Sequence, residues 1–106
     1  MTKTDIYNML KGLKEDDGAT LLDWMPVQYK TGYQVATRGA EFKSARKAAE
    51  YMHKEGGGDF GIWYSKGVYY IDESYHIDDI QTAMAIGRAC NQQSILDWHD
   101  MSLIWL

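Results

Sequence analysis

The side chains able to do chemistry in this chain are few and scattered. His53, His76 and His99 share no ligand spacing and fall in different elements, whereas a zinc site needs three or four converging ligands. Cys90 is the sole cysteine. With His99 and an acid it would formally make a nucleophile set. It lies on the apolar side of a helical pattern, however, where a thiol packs as a small hydrophobe. Asp72–Glu73 and Asp78–Asp79 are adjacent acids. Consecutive strand residues point to opposite faces, Asp78 serves more economically as a helix cap, and glycoside hydrolysis needs two carboxylates across a cleft. No catalytic residue, metal ligand or cofactor is therefore assigned. One polar set stands out: Arg88, with Asn91 and Gln92 three and four residues on, which are helical neighbours. The set reads either as a helix cap with a hydrogen-bonded turn or as a recognition patch flanked by Trp98.

The elements that position these residues follow from periodicity. Thr4 is placed to cap a first helix, and Ile6, Met9, Leu10 and Leu13 repeat on one face. Glu15-Asp16-Asp17-Gly18 is expected to end it, Gly18 as a left-handed stop. Leu21 to Thr37 reads as extended, with Pro26 at a sheet edge, a turn at Lys30-Thr31-Gly32, and a half-buried strand through Tyr33, Val35 and Thr37. Ser44 caps a second helix with a narrow stripe of Ala45, Ala48, Ala49 and Met52. Gly56-Gly57-Gly58 is a flexible stop after it. It is not a phosphate loop, whose glycines precede the helix. Phe60 to Tyr64 and Val68 to Asp72 form a hairpin around Ser65-Lys66-Gly67, with Gly67 suited to positive φ and aromatic rings stacking across the strands.

A third helix is expected from Asp78, with Gln81 at capping-box spacing. Its buried stripe is Ile80, Ala83, Met84, Gly87 and Cys90. Gly87 costs about 1 kcal/mol relative to Ala, which close helix–sheet contact would explain. Asn91-Gln92-Gln93 stops the helix. Ser94 to Trp98 and Ser102 to Leu106 then make a closing hairpin around His99-Asp100-Met101, and the apolar Trp105-Leu106 is expected to be tied into the sheet. The fold class is α+β: a two-layer, mainly antiparallel sheet of hairpins with three helices packed on it. Residues 1–106 read as a single domain, and the helix within 1–18 as a loosely packed arm.

Composition narrows the function classes. The 106 residues are 45% apolar and 25% charged, which supports a core and argues against disorder. Aromatics are 13%, more than a minimal core needs, and Trp and Tyr favour half-wet positions. The net charge of −4 weighs against nucleic acid as the partner. Charge is uneven. Lys30, Arg38, Lys43, Arg46, Lys47 and Lys54 make the middle basic, and Asp72, Glu73, Asp78, Asp79, Asp97 and Asp100 make the end acidic. They either pair with each other or form two partner-facing patches. A lone cysteine fits a reducing cytoplasm. The first residues lack a signal-peptide core, and no apolar run approaches the roughly 20 residues of a membrane span.

Tyr69-Tyr70-Ile71-Asp72 followed by Ser74, then Ile86-Gly87-Arg88, then Asn91-Gln92-Gln93-Ser94-Ile95 with Asp97-Trp98, form a run of phrases. Together with Lys30-Thr31-Gly32-Tyr33-Gln34-Val35-Ala36 they cover about half the chain. This pattern resembles small uncharacterised proteins of bacteriophages and other mobile elements. The resemblance implies an accessory protein that binds and inhibits a host defence system, of the anti-CRISPR or anti-restriction kind. It carries over no functional residue.

The leading expectation is a non-enzymatic binder of a host protein, acting as a monomer or a homodimer. It would use Arg46 and Lys47 on the second helix and Trp63, Tyr64, Arg88 and Trp98 around the sheet edge and helix end. A second expectation is a small-molecule or nucleotide binder that sequesters a signalling ligand, with Arg88, Asn91 and Trp98 forming a polar and aromatic pocket. A third is a nucleic-acid module using residues 38–54, which would show steep salt dependence.

Overall fold

The computed structural model describes residues 1–55 and 57–106. Among these described residues, three helices and a seven-stranded antiparallel sheet, ordered β2-β1-β4-β5-β3-β6-β7, make an α+β fold, as the periodicity implies. The chain forms two compact units, residues 1–27 with 39–72 and residues 28–38 with 73–106.

The first unit opens with α1 (Lys3–Lys11). Its cap is Thr2 rather than Thr4. The Thr2 side chain accepts from the Asp5 amide at 3.1 Å, and the Asp5 carboxylate accepts from the Thr2 amide at 3.2 Å. This capping box satisfies two otherwise orphaned donors. The helix stops at Gly12, well before Gly18, which instead begins β1 (Gly18–Leu22). The acids between them have loop roles: Asp17 accepts from the Lys14 amide at 2.9 Å, and Glu15 accepts from the Lys66 amide. Ile6 and Leu10 are fully buried, so α1 is a core element and not an arm.

The turn after β1 lies at Asp23-Trp24, earlier than expected. Both residues have positive φ, 49° and 68°, the backbone of a tight two-residue hairpin turn. It leads into β2 (Met25–Pro26), the last strand of the sheet, which puts Pro26 at an edge as its missing N–H requires. The Trp24 ring packs on Phe60 with centroids 5.5 Å apart, and its amide donates to the Gly58 carbonyl at 3.0 Å. Gly58 is buried at φ +82°, and a Cβ there would lie 2.7 Å from the Trp24 nitrogen. It is thus a fixed contact point. The expected flexible stop was placed partly on Gly56, which lies outside the described residues.

Ser44 caps α2 (Ala45–Glu55), accepting from the Lys47 amide at 3.3 Å. Ala48, Ala49 and Met52 are buried with Ile6, Leu10, Leu21, Phe60, Ile62, Tyr69 and Ile71 in one apolar cluster. The small Ala48 and Ala49 side chains thus sit in one cluster with residues of α1 and of the strands. β4 (Phe60–Ser65) and β5 (Val68–Ile77) turn at Lys66 and Gly67, with φ 52° and 77°. Rings meet across this pair: Trp63 stacks on Tyr70 at 5.0 Å, and Tyr64 lies tilted against Tyr69 at 4.5 Å.

The second unit holds the first half of β3 (Tyr33–Phe42) and the second half of β5. Both strands run further than their alternation suggested, past Arg38 and past Asp72. α3 (Ile80–Ala89) is capped by Asp79, one residue later than expected. Its carboxylate accepts from the Thr82 amide at 2.8 Å and the Thr82 hydroxyl at 2.7 Å, and these bonds hold the Asp79 pKa below the usual carboxylate value. Ala83 packs with Val35 and Ile95 in the core of this unit. A Cβ on Gly87 would lie 2.5 Å from Leu106 Cδ1 and 3.2 Å from Ile95 Cγ2, which is the close helix–sheet contact the sequence called for. β6 (Ser94–Asp97) and β7 (Ser102–Trp105) form the closing hairpin, with Leu96 opposite Leu103 and Ser94 opposite Trp105. Among the described residues no helix is long and apolar enough to cross a membrane.

Candidate functional site

The polar set at the end of α3 is absorbed by the fold. Asn91 takes φ 58°; its amide donates to the Arg88 carbonyl at 3.1 Å, and the Gln92 amide donates to the Gly87 carbonyl at 2.9 Å. This pair of bonds around a left-handed residue is the Schellman closure of a helix. The Gln92 side chain donates to the Cys90 carbonyl at 3.4 Å. Cys90 is the half-buried C-cap.

Trp98, expected to flank a surface patch, is 6% exposed. Its indole N–H donates to Gln34 Oε1 at 3.1 Å, and Gln34 Nε2 donates to the Ser74 hydroxyl at 2.9 Å. The Tyr29 ring meets Trp98 edge-on at 5.6 Å and stacks on His76 at 3.8 Å. His76 Nε2 lies 2.8 Å from the Thr31 carbonyl, so that nitrogen carries the proton. A buried indole with a satisfied N–H stabilises the unit and is closed to a partner. The corner that sequence reasoning read as a pocket is thus filled by its own side chains, and of the set only Arg88 and Asn91 stay exposed. His53 is exposed on α2 and His99 is exposed in the β6–β7 turn.

The open edge of the second unit is β7. Among the described residues this strand has a neighbour on one side only, β6. Leu103 and Trp105 are 52% and 67% exposed, while Ile104 and Leu106 between and beyond them pack against the core. The backbone repeats that alternation. The Leu106 amide donates to the Gln93 carbonyl at 2.9 Å, which makes that pair hydrogen-bonded. Antiparallel pairs alternate, so Ile104 bonds to β6, and the N–H and C=O of Leu103 and Trp105 point away from it. The same two residues therefore present unpaired backbone groups along the edge and large apolar side chains beside them. Met101, 56% exposed at φ 60°, extends the strip. The turn is fixed by Asp100, which accepts from the Ser102 hydroxyl at 2.6 Å and amide at 3.0 Å. Those bonds lower the Asp100 pKa. The signal the sequence held is the unbroken apolar run Leu103-Ile104-Trp105-Leu106, which has more apolar side chains than one buried strand face can take.

The remaining candidates sit in the first unit. Trp63 is 47% exposed above Tyr70. Lys47 is exposed on α2. Arg46 and Tyr64 share a surface concavity of about 590 Å³ with Tyr7, Lys11, Lys43, Ser44 and Tyr69. No family model matches the chain, and no curated protein or solved structure matches it.

Proposed function

We propose that the chain is a non-enzymatic binding protein that occupies a surface on another protein. The observation that carries this reading is the β7 edge, where Leu103 and Trp105 offer outward backbone groups and exposed apolar side chains together. An open edge strand of this kind is a template for pairing with an extended segment of a partner. Main-chain bonds supply affinity there, and alternate side chains supply specificity. The phage-like phrases in the sequence support a host defence complex in the bacterial cytoplasm as the partner, with inhibition by occupancy.

The test is capture from a bacterial lysate by the tagged protein, run beside Leu103→Lys/Trp105→Lys and Arg88→Ala. The reading expects a stoichiometric host protein that the double variant loses and Arg88→Ala retains. Recovery of no stoichiometric protein, or equal recovery by the double variant, contradicts it.

A further inference from the structure

The concavity of the first unit carries a second, independent inference. Lys11 of α1, Lys43 just before α2 and Arg46 in its first turn line it, and no carboxylate does. Among the described residues none of these three cations is held in an ion pair. Cations gathered around one hollow without counter-charge raise the local concentration of anions. Three tyrosines share the lining with Ser44, Ala45 and Gly67: Tyr64 and Tyr69 from the β4–β5 hairpin, tilted against each other at 4.5 Å, and Tyr7 from α1, with the Lys11 ammonium 5.5 Å from the Tyr7 centroid. Burial, and next the neighbouring Tyr64, push the Tyr69 phenol pKa up, so its hydroxyl stays a neutral donor at physiological pH. The volume lies within the range of roughly 300–1,000 Å³ typical of small-ligand sites.

We propose that this concavity binds a mononucleotide, the phosphate held by Lys43, Arg46 and Lys11 and the planar base laid against the tyrosines. Arg forks onto phosphate oxygens in two bonds, and a base offers a π-face to an aromatic wall. The site is distinct from the pocket expected at Arg88, Asn91 and Trp98, where the indole is buried.

The test is titration of the ¹⁵N-labelled protein with AMP, GMP, CMP, UMP, adenosine and inorganic phosphate. Saturable shifts are expected for at least one mononucleotide at the amides of Lys43, Arg46 and Gly67. Adenosine and phosphate should bind at least about tenfold more weakly than AMP. Lys43→Ala and Arg46→Ala are exposed substitutions and should each weaken mononucleotide binding about tenfold, the scale of a lost charge-assisted bond, while Arg88→Ala leaves it unchanged. No saturable shift at millimolar mononucleotide overturns the proposal. So does binding indifferent to Arg46→Ala, or phosphate binding as tightly as AMP. The β7 double variant should bind the mononucleotide normally, which separates this outcome from failure of the protein-binding reading.

Discussion

At the scale of single residues, the conspicuous side chains divide by whether the fold already uses them. Trp98 was legible as important but not as buried. Its partner Gln34 lies 64 positions away, and no local pattern announces such a bond. Trp98→Ala should cost about 3–5 kcal/mol in chemical denaturation, as large aromatic truncations do, whereas Arg88→Ala should leave the midpoint unchanged. Asp72 gives a pH prediction. Burial pushes its carboxyl pKa up, so the folded state holds its proton more tightly than the unfolded chain. Stability is therefore drawn off as pH rises through the unfolded value near ~4 and then the folded one. Asp72→Asn should be more stable than the parent at pH 7, and that advantage should vanish toward pH 3 in thermal melts.

At the scale of elements, periodicity located all three helices but not their ends: the caps of α1 and α3 lie two residues and one residue from the expected ones, and α1 stops at Gly12, ahead of the Glu15–Gly18 segment expected to end it. Asp78 and Asp79 each have a hydrogen-bonding residue three positions on, Gln81 and Thr82. Spacing alone could not choose between them; the Thr82 hydroxyl adds a second bond to Asp79. The Asp23-Trp24 turn was invisible because neither residue is Gly or Asn. It is stabilised tertiarily, by Phe60 and Gly58. Gly58→Ala should therefore cost about 2 kcal/mol or more, combining roughly 1–2 kcal/mol for a left-handed Cβ with the 2.7 Å approach to Trp24. At the α3 terminus Asn91→Ala should cost about 1 kcal/mol, while Asn91→Gly should match or exceed the parent, because glycine takes the left-handed C′ position freely.

At the scale of the whole molecule, the α+β class and the antiparallel hairpins were legible because alternation and turn chemistry agree over β4–β5 and β6–β7. The strand order was not: β3 separates β5 from β6, a pairing between distant segments that short-range pattern does not encode. The candidate surface was legible only in part for the same reason. Which strand is left at an edge is a property of the assembled sheet, and Leu103 and Trp105 become noteworthy only once β7 is known to have a single neighbour. Replacing both with Lys removes exposed apolar area, so the double variant should retain the parent's circular dichroism and melting midpoint while losing the partner. The most direct measurement is amide hydrogen exchange of the protein alone and in its captured complex. Strand addition at β7 predicts that the Leu103 and Trp105 amides exchange rapidly in the free protein and become protected in the complex. A stable complex in which both amides still exchange at the free rate would contradict it.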